Sequence, residues 1–129
     1  MKMEAVNTRN APAAIGPYSQ AIRANGFVFV SGQIPIDPET GEVVGGGFAD
    51  QARQSLENLK QILIASGSGI KKVVAVDVFI TDISQFAAFN EVYGRYFSAD
   101  KPARAVVEVN GLPRGVMVEV KCIATAPPR

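Results

Sequence analysis

Between residues 104 and 123 the chain reads RAVVEVNGLPRGVMVEVKCI, two valine-rich runs broken by Asn110, Gly111, Pro113 and Gly115. Such runs of β-branched residues form strands whose side chains alternate between two faces, and the Asn-Gly and Pro segment between them predicts a turn. The two runs therefore predict a hairpin. Setting Val109 opposite Val116 places Arg104 opposite Lys121 and Val106 opposite Glu119. One face then carries Ala105, Val107, Val109, Val118, Val120 and Cys122, which is wholly apolar and must face the core. The other carries Arg104, Val106, Glu108, Met117, Glu119, Lys121 and Ile123. In this register Arg104 and Glu119 are diagonal neighbours roughly 7–8 Å apart, within reach of one small ligand. They read either as a solvated cross-strand pair or as the lining of a site. Val106, Met117 and Ile123 on the same face predict that a second subunit covers it.

The rest of the chain supplies the remaining layers. Asn25-Gly26 before Phe27–Val30 predicts a tight type I′ hairpin. QIPIDPETGEVVGGG, with Pro35, Pro38 and glycines 41, 45, 46 and 47, reads as a loop; it lacks the lysine and spacing of a phosphate-binding loop. Asp50 is expected to cap a helix with Ala52, Leu56, Leu59 and Leu63 on its apolar face, ended by Gly67 and Gly69. Lys71–Asp82, rich in β-branched residues, predicts a central strand. Ser84 is expected to cap a second helix bearing Phe86, Phe89, Tyr93 and Phe97 on one side. The order β-β-α-β-α-β-β predicts one α+β domain over residues 1–129, a two-layer sandwich with both helices on one face of a mixed sheet.

Composition narrows the chemistry. The 129 residues hold 13 basic and 12 acidic side chains and no Lys/Arg run, which argues against a surface built to neutralise phosphates. There is no histidine, so His-based triads and most zinc sites are excluded. The single cysteine, Cys122, excludes an intramolecular disulfide and fits a small core residue in a reducing compartment. The first residues lack the apolar core of a signal peptide, and no run approaches a membrane span; a cytoplasmic protein is expected.

The segments NAPAAIGPYSQAI, FVFVSGQIPIDPETGEV, QARQSLENLKQIL, DVFITDISQFAAFNEVYGRYF, PARAVVEV and LPRGVMVEVKCIA together resemble the reactive intermediate deaminase family, also called Rid or YjgF. The likeness runs almost end to end and is closest to its RidA branch. It implies a chorismate-mutase-like fold, a homotrimer with sites between subunits, and no metal or organic cofactor. It also implies hydrolysis of 2-iminobutanoate and 2-iminopropanoate to 2-keto acids and ammonia. By position, Arg104 matches the arginine that grips the substrate carboxylate, and Glu119 the acid that holds the attacking water. Tyr18, Ser31 and Asn90 match the remaining polar lining, and Gly32 a point where backbone approaches the ligand. Some RidA relatives carry cysteine where this chain has Val106, so thiol chemistry there is void. The rival readings are a non-catalytic metabolite-binding regulator and, more remotely, a ribonuclease or translation inhibitor. The balanced charge and missing histidine oppose the latter.

Overall fold

Asn25 and Gly26 both adopt positive φ (53° and 83°), the signature of a type I′ turn, and join β2 (Ala21–Ala24) to β3 (Phe27–Gln33) as expected. A computed structural model describes residues 2–128 and builds outward from this hairpin. A strand absent from the sequence reading, β1 (Met3–Val6), pairs antiparallel with β2. The remaining strands are β4 (Val73–Ile80), β5 (Ala103–Glu108) and β6 (Val118–Thr125). They complete one six-stranded mixed sheet in the order β1-β2-β3-β6-β4-β5.

That order overturns the predicted hairpin. β5 and β6 do not pair; β4 lies between them, parallel to β5 and antiparallel to β6. The cause is β4 itself: VVAVDVFI is apolar but for Asp77, and placing it inside the sheet satisfies both rows of its backbone groups. Residues 109–117 therefore span two strand spacings past the end of β4. Val109 donates to the Ile80 carbonyl and Thr81 to that of Met117, so the bridge is pinned on both sides.

Inserting β4 also resets the faces. Val118, Val120 and Cys122 face the core as expected, with Val76, Val78 and Ile80 beside them. On β5 the expectation reverses. Arg104 and Val106 lie beside Val76 and Val78 on the helix side, whereas Ala105 and Val107 lie on the open side with Asp77 and Phe79.

Both helices, α1 (Phe48–Ala65) and α2 (Phe86–Tyr96), cover the same sheet face. Leu56, Leu59, Ile62 and Leu63 of α1 are fully buried, each worth about 1.5–3 kcal/mol relative to exposure. Phe89, Tyr93 and Phe97 form a continuous aromatic row on α2, with successive ring centroids 5.6 and 4.4 Å apart. Phe86 does not join that row and stays 41% exposed. The caps differ from expectation by a few residues. Gly47 is the N-cap of α1, and Asp50, in the third helical position, accepts from its N–H at 3.2 Å. Asp82, rather than Ser84, caps the short 3₁₀ turn leading into α2 by accepting from Ser84 N–H. Beyond α1, Ser68 donates to Leu63 and Gly67 to Ile64, with Gly67 at φ 77°: the double closure that ends a helix on a left-handed residue.

Among the described residues no helix covers the opposite sheet face. Phe29, Ile123, Phe79 and Val107 lie across it, and Phe29 and Val107 remain 45% and 44% exposed. Among the described residues no helix is long and apolar enough to cross a membrane.

Candidate functional site

The sequence-predicted residues separate into two groups. Arg104 and Asn90 form the first. Arg104 stands on β5, the parallel edge strand, and its side chain lies back over α2. Its Nη1 donates to Asn90 Oδ1 at 2.8 Å. Its guanidinium carbon lies 4.7 Å from the ring centroid of Tyr93 and 5.7 Å from that of Phe86. It makes no ion pair with a carboxylate among the described residues. A guanidinium has five N–H groups, so with one spent four remain on this exposed residue, enough to take a carboxylate on two parallel bonds.

Glu119, Gly32, Ser31 and Tyr18 form the second group. The register of β3 against β6 passes from Val30–Cys122 to Gln33–Val120, so Ser31 and Gly32 together oppose the single residue Lys121. This β-bulge keeps Val30 and Gln33 both turned to the core while lifting Ser31 and Gly32 out of the regular ladder. The Glu119 carboxylate lies in the space above Gly32: a Cβ built there would stand 2.1 Å from Glu119 Oε2. Only a residue without a side chain admits this approach. Glu119 is half-buried, and its carboxylate makes no hydrogen bond or ion pair among the described residues. Burial raises its pKa above the ordinary glutamate value, and Lys121 partly offsets the effect.

Ser31 Oγ donates to the Ser19 carbonyl at 2.6 Å, which commits its hydrogen and leaves the oxygen able to accept. Tyr18 Oη accepts from Ile15 N–H at 3.4 Å, which leaves its own hydrogen free. Tyr18 and Gly32 share a cavity of about 30 Å³ with Gln20, Gln33 and Ile34. Gln20, missed in the sequence, holds this wall together. It is 2% exposed, accepts from Thr8 N–H, and donates to the carbonyls of Thr8 and Pro12. Nothing in the sequence separates that glutamine from an ordinary strand-flanking one.

The expected proximity of Arg104 and Glu119 fails. Arg104 sits beside Val76 and Glu119 beside Phe79, three residues apart on the strand between them. The odd offset puts the two side chains on opposite faces of the sheet, with Cα atoms roughly 14 Å apart. Within one chain they cannot hold one small molecule. Cys122 is buried in the core and its thiol is pushed up to about 12, so it is no nucleophile. Among the described residues no cluster of acidic and cysteine side chains is arranged to hold a metal ion.

Comparison with known proteins matches this architecture. A RutC family protein of Pyrococcus horikoshii is 54% identical over 121 residues, covering 94% of this chain and 96% of its own. The mouse 2-iminobutanoate/2-iminopropanoate deaminase is 44% identical over 95% of this chain and 91% of its own. The crystal structure of E. coli TdcF with bound serine superposes with a TM-score of 0.92 at 43% identity, covering 96% of this chain and 99% of that one. The family model described as Endoribonuclease L-PSP matches residues 8–126, and the chain belongs to that family, the YjgF/Rid group.

Proposed function

We propose that this protein hydrolyses small 2-imino acids, 2-iminobutanoate and 2-iminopropanoate, to 2-keto acids and ammonia. The observation that carries the reading is the separation of two complementary half-sites. One is a cation with unspent donors at Arg104; the other is an unpartnered, partly desolvated carboxylate at Glu119. Because they lie on opposite sheet faces, the working site takes Arg104 from one copy and Glu119 from another. The exposed apolar residues of the open face, Phe29 and Val107 among them, support assembly of copies through that face. The arrangement proposed is a homotrimer with sites between subunits.

The chemistry needs orientation more than activation. A protonated imine is already electrophilic at carbon, so holding it beside one ordered water supplies much of the acceleration. Arg104 binds the substrate carboxylate through its fork, with Asn90 fixing the plane of the guanidinium. Glu119 accepts a proton from water as the oxygen adds to the imine carbon, giving a carbinolamine. The same carboxyl returns that proton to nitrogen; as the C–N bond breaks and ammonia leaves, the regenerated carboxylate takes the hydroxyl proton and the carbonyl forms. Ser31, its hydrogen committed to Ser19, accepts from the iminium N–H. Tyr18, its hydrogen free, donates to the developing hydroxyl. Such imines are released by pyridoxal-phosphate dehydratases acting on serine and threonine, and the proposed role is to clear them within the cytoplasm.

The test couples the purified protein to a threonine dehydratase and follows 2-ketobutyrate release. The wild type is expected to speed release and Arg104→Ala to abolish the gain. Equal rates with both proteins overturn the reading.

The bound serine of TdcF favours one other reading, a binding module that holds small amino or keto acids without turnover. It predicts Arg104-dependent calorimetric binding of 2-ketobutyrate with no acceleration in the coupled assay. The family's ribonuclease designation finds little support here, since 13 basic and 12 acidic residues leave no strongly basic balance and no histidine is present.

A further inference from the structure

The guanidinium of Arg104 is held in an unusual way for a cation on an edge strand. No aspartate or glutamate pairs with it among the described residues. Instead it lies 4.7 Å from the Tyr93 ring centroid and 5.7 Å from that of Phe86, and it donates to Asn90 Oδ1. Residues 86, 90 and 93 follow the i, i+4, i+7 spacing that lines one stripe of a helix. A carboxylate partner would fix the arginine too, but it would occupy the N–H pairs that a ligand needs. Aromatic faces attract the cation through their ring quadrupoles and take none of its donors.

We infer that Phe86 and Tyr93 are positioning residues: an aromatic cradle that holds the Arg104 fork in its ligand-binding orientation while leaving its donors free. This deepens the deaminase reading and rests on it. Two further observations separate the cradle from plain core packing. Phe86 is 41% exposed and lies outside the aromatic row that Phe89, Tyr93 and Phe97 build, so its burial alone does not account for its position. Tyr93 Oη is buried without a hydrogen-bond partner among the described residues, so the phenol contributes its ring and not its hydroxyl. The ring of Tyr93 serves both layers. One side stacks on Phe97 at 4.4 Å, which keeps the ring from rotating away from the arginine.

The cradle has a kinetic signature. An arginine freed to sample other rotamers binds the carboxylate less well in the ground and transition states alike, so KM rises while kcat holds. Loss of packing alone would instead lower the melting temperature and the active fraction, and so kcat, with KM unmoved.

The experiment uses the full-length protein and four variants: Arg104→Ala, Phe86→Leu, Tyr93→Leu and Tyr93→Phe. Turnover is read in the dehydratase-coupled assay, and binding of 2-ketobutyrate by calorimetry. Each leucine variant is expected to raise KM and the 2-ketobutyrate Kd roughly 3- to 20-fold, the range a cation–π contact biases. Both variants should keep kcat within about threefold. Tyr93→Phe, which keeps the ring, is expected to restore the KM that Tyr93→Leu loses. Unchanged KM and Kd in both leucine variants, beside an inactive Arg104→Ala, overturn the cradle and leave the deaminase reading standing. A wild type that neither turns over nor binds 2-ketobutyrate overturns both. If Tyr93→Phe behaves like Tyr93→Leu, the hydroxyl matters and the cradle as stated is wrong.

Discussion

Glu119 occupies the place where a side chain on Gly32 would stand: a Cβ there would meet Glu119 Oε2 at 2.1 Å and Cδ at 2.9 Å. The bulge at Ser31–Gly32 brings backbone under the carboxylate, and the missing Cβ lets the carboxylate lie flat against it. Gly32 does not adopt the left-handed conformation, so alanine fits its backbone without strain. Gly32→Ala is therefore expected to move the carboxylate and little else. In the coupled assay kcat/KM should fall about 10- to 100-fold, consistent with misplacing a catalytic base. The melting temperature should move by no more than a few degrees. A fully active Gly32→Ala would show that the close approach has no role.

The pH dependence of both rate and stability follows from the same carboxylate. Burial raises the Glu119 pKa, so the ionised base is lost at a higher pH than for a solvated glutamate. The acid limb of kcat/KM should accordingly fall above the ordinary glutamate range. Glu119→Gln should lower the rate about 10²- to 10⁴-fold and erase that limb. The sign for stability is the reverse. A raised acid pKa means the folded state binds the proton more tightly, so Glu119 favours folding most at low pH. That contribution is lost as pH climbs through the raised value. Glu119→Gln should therefore gain stability relative to wild type from acid toward neutral pH. Denaturant melts at several pH values, showing no such divergence, would contradict this account.

How far the sequence foretold this arrangement depends on the range of each interaction. The turn at Asn25-Gly26 and the apolar face of α1 are local and form as expected, whereas on α2 Phe89, Tyr93 and Phe97 are buried and Phe86 is not. β6 also kept its expected faces, because alternation within one strand needs no partner. β5 does not pair with β6, because adjacency in sequence does not fix adjacency in the sheet. The run Val73–Ile80 is apolar enough to demand two neighbours, and it claimed the space between them. That insertion moved Arg104 to the helix side and parted it from Glu119. Phe86 and Tyr93 carry a legible signal in their spacing from Asn90, but the same spacing also fits a single aromatic side shared with Phe89 and Phe97. Gln20 carried no signal, since its partners at Thr8 and Pro12 come together only when the loop folds.

Stability draws on a second arginine of opposite character. Arg23 is buried on the helix side of β2. Its Nη1 donates to the Ser66 carbonyl at 2.6 Å, at the C-terminal end of α1, and its Nη2 to that of Pro127. One guanidinium thus ties the β2 strand to a helix terminus and to the chain's C-terminal segment. Arg23→Met keeps much of the stem's volume but leaves the Ser66 carbonyl without this donor. The expected cost is about 2–3 kcal/mol, the penalty for a buried acceptor losing a charged partner. A chemical-denaturation series with a loss below half a kilocalorie would mean that solvent replaces the bond.

Two inactive variants provide the most direct test of where the site lies. Arg104 and Glu119 point from opposite sheet faces, so a chain with only one of them still offers one intact half-site. If the site joins the arginine of one copy to the glutamate of the next, Arg104→Ala and Glu119→Gln chains repair one another when mixed. An Arg104→Ala copy supplies Glu119, and a Glu119→Gln copy supplies Arg104. In a closed ring assembled at random from equal amounts, a given interface joins the two good halves in about one case in four. Unfolding the two proteins together and refolding them as a mixture should therefore recover up to roughly a quarter of wild-type activity. Each variant refolded alone should recover no more than about a hundredth of it. Simply combining the folded variants should give activity only as fast as subunits exchange. No recovery after co-refolding, with mixed assemblies verified by mass, would confine the site to a single chain and exclude the shared arrangement.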